Sequence, residues 1–74
     1  MEDIQRRIDL GIFYMGFVEN NIKKGFQYTS RALLLEAKKI IDEYPEHTTV
    51  LNLRYQKAQQ EYETKFGKLE KELQ

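Results

Sequence analysis

The chain has 74 residues, twelve basic and twelve acidic side chains, one histidine and no cysteine. That length allows one domain, near the size at which a single core is only just sufficient, and the residue inventory excludes a disulfide framework, structural zinc and thiol catalysis. Residues 1–37 and 38–74 are each neutral, which argues against a general binder of nucleic acid or anionic membrane, whose affinity comes from accumulated positive charge.

One proline and four glycines among long runs of Glu, Lys and Gln point to helix throughout. The first helix is expected from about Glu2 to Lys24, with acidic residues at the positive end of its dipole and Lys23 and Lys24 at the negative end. Ile4, Ile8, Gly11, Ile12, Met15, Val18 and Ile22 follow at steps of three and four and form the expected core stripe. Within the same helix, Leu10 to Val18 contains no charged or amide side chain. Leu10, Phe13 and Phe17, with Tyr14 on the border, make a second patch on nearly the opposite side, with Asp3 and Arg6 above it and Asn21 and Lys24 below. Burying Leu10, Phe13 and Phe17 is worth on the order of 5 kcal/mol, comparable to the whole stability of a small domain. Either the fold wraps around this helix or a second molecule covers it.

Arg6 and Arg7 before an apolar run resemble the start of a secretory signal, but the flank is also acidic and ENNIKKG follows where a cleavage site should be, so the segment is read as mature structure. Nine apolar residues are too few to span a bilayer. Gly25 is expected to end the first helix, with Phe26 packing back on its last turn.

The second helix is expected to begin at Thr29 or Ser30 as N-cap, with Tyr28 and Leu33 as a hydrophobic staple, and to end before Pro45. Leu33, Leu34, Ala37, Ile40, Ile41 and Tyr44 form its apolar side; Leu35 points toward the charged side without an obvious place. After the turn Pro45 to Thr49, with Thr48 or Thr49 as cap, the third helix carries Leu51, Tyr55, Ala58, Tyr62, Phe66, Leu69 and Leu73 as a narrow seam. Lys57, Glu61 and Lys65, and Lys68 with Glu72, read as a solvated charged face.

Little in the chain suggests bond chemistry. His47 has no second histidine at ligand spacing and is read as an exposed turn residue. Asp42 and Glu43 are adjacent and do not face each other, so they make no carboxylate dyad. Gly11 and Gly16 fit neither a phosphate loop nor a GxxxG pair, and both are read as marking close approach of a bulky neighbour such as an aromatic ring. Arg31, Lys38 and Lys39 could form a small basic strip, interrupted by Glu36 and Asp42.

KIIDEYPEH, residues 39–47, resembles the end of the second helix and following turn of a tetratricopeptide repeat, and the same region of some three-helix microtubule-interacting-and-trafficking domains. Leu10, Gly11 and Tyr14 echo a tetratricopeptide first helix. The distance to Pro45 is about ten residues too long for that ~34-residue repeat, and no second copy follows, so the resemblance implies a helix end and a turn and no partner.

The expectation is therefore an all-α antiparallel three-helix bundle, with a long two-helix hairpin as the alternative if Gly25 does not break the chain, and an oligomeric state. The expected function is a non-enzymatic, cytoplasmic interaction module without cofactor or metal. It would self-associate or bind a partner helix through Leu10, Phe13, Tyr14 and Phe17. Behind it stand a small regulator or secretion-type chaperone shielding a partner's apolar helix, then a weak phosphate or nucleic-acid binder using Arg31 and Lys38. An enzyme ranks last.

Overall fold

A computed structural model describes residues 2–69. The order is α1 (Glu2–Lys24), α2 (Gln27–Glu43) and α3 (Thr49–Phe66), each packed on both others in an all-α antiparallel three-helix bundle. At 1.5 Å per residue α1 is roughly 35 Å long, so it runs the full 37 Å length of the molecule.

The stripes meet as their periodicity dictates. Met15, Val18 and Ile22 of α1 pack with Leu34, Ala37, Ile40 and Ile41 of α2 and Leu51, Tyr55, Ala58 and Tyr62 of α3. Ile4 and Ile8 of the expected stripe are only half-buried and stand outside this core, and Ile12, at the edge of its stripe, is 42% exposed. Leu35 does find a place, half-buried beside Asn52, Tyr55 and Leu69.

Gly25 breaks the chain, which removes the long-hairpin alternative. Its φ of +84° is open to glycine at little cost. The Gly25 N–H donates to the Ile22 carbonyl at 3.1 Å and the Phe26 N–H to the Asn21 carbonyl at 2.9 Å, the paired bonds of a Schellman turn. Phe26, however, does not fold back; it stays more than half exposed.

The start of α2 differs from the sequence expectation. Phe26 itself is the N-cap residue, and no side chain caps the helix. Ser30, assigned above as a possible cap, lies inside the first turn, fully buried, and its hydroxyl donates to the Phe26 carbonyl at 2.6 Å. A buried hydroxyl needs a partner, and the carbonyl four residues back is the nearest. Thr29 likewise lies within the helix, which removes the staple built on it. Thr48 does occupy the N-cap position of α3, yet its buried hydroxyl turns back to the Tyr44 carbonyl at 2.8 Å instead of capping forward.

The α3 seam is buried from Leu51 to Tyr62, but the helix stops at Phe66 because Gly67 takes φ +103°. Leu69 is buried beyond that break, with its N–H donating to Glu63 at 3.4 Å. Leu73, and Glu72 as the expected partner of Lys68, lie outside the described residues. Lys65 is not merely solvated: its Nζ donates to the Ile22 and Lys23 carbonyls at 2.9 and 3.2 Å, a cation placed at the negative end of α1.

At Gly11, a side chain of α3 packs closely onto α1. A Cβ there would stand 2.5 Å from Leu51 Cδ2 and 3.6 Å from Ile40 Cδ1, so the neighbour is bulky as expected, though aliphatic. In Gly11→Ala the gain in helix propensity, about 1 kcal/mol, opposes displacement of a buried leucine, about 1–3 kcal/mol. A net loss near 1 kcal/mol is expected in urea denaturation; a rise in stability would contradict this close approach.

Two ion pairs fix how α1 sits. Arg7 donates to Glu43 of α2 at 2.7 Å, and Arg54 of α3 donates to both Glu19 oxygens at 2.9 and 3.3 Å. All four side chains are partly exposed, so solvent screens both pairs and they mainly set orientation. The bond to Glu43 raises the Arg7 pKa above its ordinary value. A raised cationic pKa gives stability that is fully present below the unfolded value and lost as pH climbs through the folded one. That window is strongly alkaline, so Arg7 adds no pH dependence near neutrality.

Candidate interaction face on the first helix

The two ion pairs also show which side of α1 is left uncovered. Arg7 meets α2 and Glu19 meets α3; at 100° per residue they lie roughly 120° to either side of Phe13. Phe13 therefore points away from both neighbours. It is 60% exposed and Phe17 49%, and their rings meet edge to face, with centroids 4.9 Å apart and planes at 80°. That geometry suits the ring quadrupoles and holds the pair as one apolar surface.

The four residues named from the sequence divide. Phe13 and Phe17 come together on the outer face. Leu10 and Tyr14, roughly 40° apart on the flank of α1 nearest α2, are partly buried and pack against the core. The outer face instead gains Ile12 and Gly16. Together with Phe13, Phe17 and Asn20 they line a shallow open groove, closed on one side by Arg54 of α3. The Glu19 carboxylate holds the Arg54 guanidinium by two hydrogen bonds, which fixes that wall.

Gly16 forms the floor. A Cβ there would meet nothing within 4 Å, and the residue is exposed, so the expected close approach of a bulky neighbour does not occur at this position. Glycine inside a helix costs about 0.5–1 kcal/mol relative to alanine, and no packing among the described residues offsets that cost. Gly16→Ala is accordingly expected to raise thermal stability by several degrees. A lower melting temperature would show a packing role that the geometry does not contain.

Sequence reasoning missed Ile12, Gly16 and Arg54. Ile12 and Gly16 were assigned to internal packing, and the position of Arg54 beside Gly16 depends on how α1 and α3 cross. Other exposed apolar side chains are more scattered. Val50 and Leu53 stand on α3, and Phe26 and Tyr28 at the start of α2, where the Arg31 guanidinium lies 5.4 Å over the Tyr28 ring.

The remaining candidates form no comparable site. His47 is exposed in the turn, and among the described residues no group of three or more His, Asp or Glu side chains could hold a metal ion. In the basic strip, Lys38 bonds Asp42 at 2.9 Å and Lys39 bonds Glu36 at 3.3 Å, so much of its charge is balanced on the helix itself. Among the described residues no helix is long and apolar enough to cross a membrane. Comparison with protein-family models, curated proteins and solved structures finds no match to this chain.

Proposed function

We propose that this protein is a non-enzymatic interaction module that docks a helix against the outer face of α1, with Phe13 and Phe17 as anchors and Gly16 as the recess for an inserted side chain. The observation that carries this reading is the pairing of an unobstructed glycine with exposed aromatic rings. The glycine lowers the stability of α1 without an internal return, and the rings leave apolar area in water. Phe13, Gly16, Phe17 and Asn20 stand at i, i+3, i+4 and i+7, the spacing of a hole that accepts a knob from a facing helix. A cysteine-free chain needs no oxidising compartment, so the proposed setting is the cytoplasm.

The reading is tested with a fluorescent, uncharged amphipathic peptide carrying leucines at heptad spacing, titrated with the protein and followed by anisotropy. Saturable binding that Phe17→Ser weakens at least ten-fold supports docking on this face. Equal binding by both proteins, or none, contradicts it.

A further inference from the structure

Gly67 does more than end α3. Its φ of +103° and ψ of 178° lie in a region that only glycine enters without strain, and they turn the chain back so that Leu69 reaches the groove between α2 and α3. There Leu69 is 3% exposed and, with Leu35, Lys38, Asn52, Tyr55 and Gln59, bounds a cavity of about 360 Å³. Tyr55 and Gln59 belong to turns of α3 well before its end at Phe66. The polar hold on this position is weak: Glu63 Oε2 accepts the Leu69 N–H at 3.4 Å and is shared with the Gln59 side-chain amide at 3.2 Å.

The sequence supports a second conformation of the same segment. Tyr62, Phe66 and Leu69 are spaced by 4 and 3, and KLEKEL after Gly67 consists of good helix formers. An interior glycine weakens a helix without breaking it, so a straight α3 through residue 67 competes with the turned-back form. Lys65 already reaches the last turn of α1, at the Ile22 and Lys23 carbonyls. In a straight helix Leu69 would stand about 6 Å further along the axis, past the end of the core, and the groove beside Leu35 and Tyr55 would lie open. We propose that residues 67–69 form a latch on the groove between α2 and α3, closed by Leu69 when Gly67 turns the chain back and opened when α3 continues straight. The latch makes exposure of Leu35 and Tyr55 depend on the backbone state of residue 67, through a local opening that leaves the three-helix core intact. It acts independently of the outer face of α1.

The chain has no cysteine, so single introduced thiols report the latch and the core separately. Leu69→Cys probes the latch, and Ala58→Cys, at a position 1% exposed in α3, probes the core. Labelling of Leu69→Cys by a thiol reagent is expected to be at least about ten-fold faster than that of Ala58→Cys. It should also be nearly independent of urea below the unfolding transition, because opening the latch exposes little surface. Gly67→Ala disfavours the turned-back form, so it should speed labelling at residue 69 by a further ~ten-fold while Ala58→Cys stays within about two-fold. Without either thiol, Gly67→Ala should also move the Cα chemical shifts of residues 67–69 to helical values. A common urea dependence for the two thiols overturns the latch, since residue 69 then opens only with the whole bundle. It is overturned equally if Gly67→Ala leaves labelling at residue 69 unchanged, speeds both thiols alike, or releases residue 69 without helical shifts.

Discussion

Replacing Tyr62 by alanine is expected to unfold most of the protein or lower its melting temperature by at least ~15 °C. Tyr62 is fully buried in the α3 seam, with its ring 5.1 Å from that of Phe66. Truncating a buried aromatic costs about 3–5 kcal/mol, against a total of roughly 4–11 kcal/mol for a domain of this length. The chain has no cysteine, so no disulfide can make up the loss. Urea denaturation of wild type and Tyr62→Ala measures the effect. A difference below ~1 kcal/mol would mean that α3 does not pack on this seam.

The second large effect concerns binding. Phe13→Asp is expected to abolish helix docking, a loss of at least about 100-fold, while the far-ultraviolet circular dichroism keeps its helical form. Phe13 is exposed, so the substitution removes little more than its edge contact with Phe17, worth about 0.5–1.5 kcal/mol, plus a small helix-propensity cost. In a docked complex the aspartate would instead be a charge buried in an apolar contact, a much larger penalty. Loss of helicity in Phe13→Asp would place Phe13 in the internal core, against its outward direction on α1.

The bundle was legible in the sequence because its three core stripes have strong periods and because Gly25 and Pro45 end helices for simple steric reasons. The failures occurred where one residue type serves two geometries. Ser30 has the composition of an N-cap, yet Gly25 and Phe26 turn the chain so tightly that α2 begins before it, and its hydroxyl satisfies itself on the Phe26 carbonyl. Gly67 ended α3 although the seam continues past it to Leu69.

The candidate site was half legible for a related reason. Periodicity places Leu10, Phe13, Tyr14 and Phe17 away from the main stripe, but it does not say where α2 and α3 lie around α1. The partners of Arg7 and Glu19 decide that, and they leave Phe13 and Phe17 outside while Leu10 and Tyr14 pack against the core. Gly11 and Gly16 look alike in the chain. Only the position of Leu51 makes one a site of close approach and leaves the other open.

The docking face is tested most directly by backbone amide chemical shifts of the isotopically labelled protein, recorded as the uncharged amphipathic peptide with leucines at heptad spacing is added. The structure predicts shifts concentrated at Ile12, Phe13, Gly16, Phe17 and Asn20, continuing to Arg54 across the groove, with the buried amides of α2 unchanged. Shifts centred on α2 or on the turn from Pro45 to Thr48, with α1 unperturbed, would contradict it.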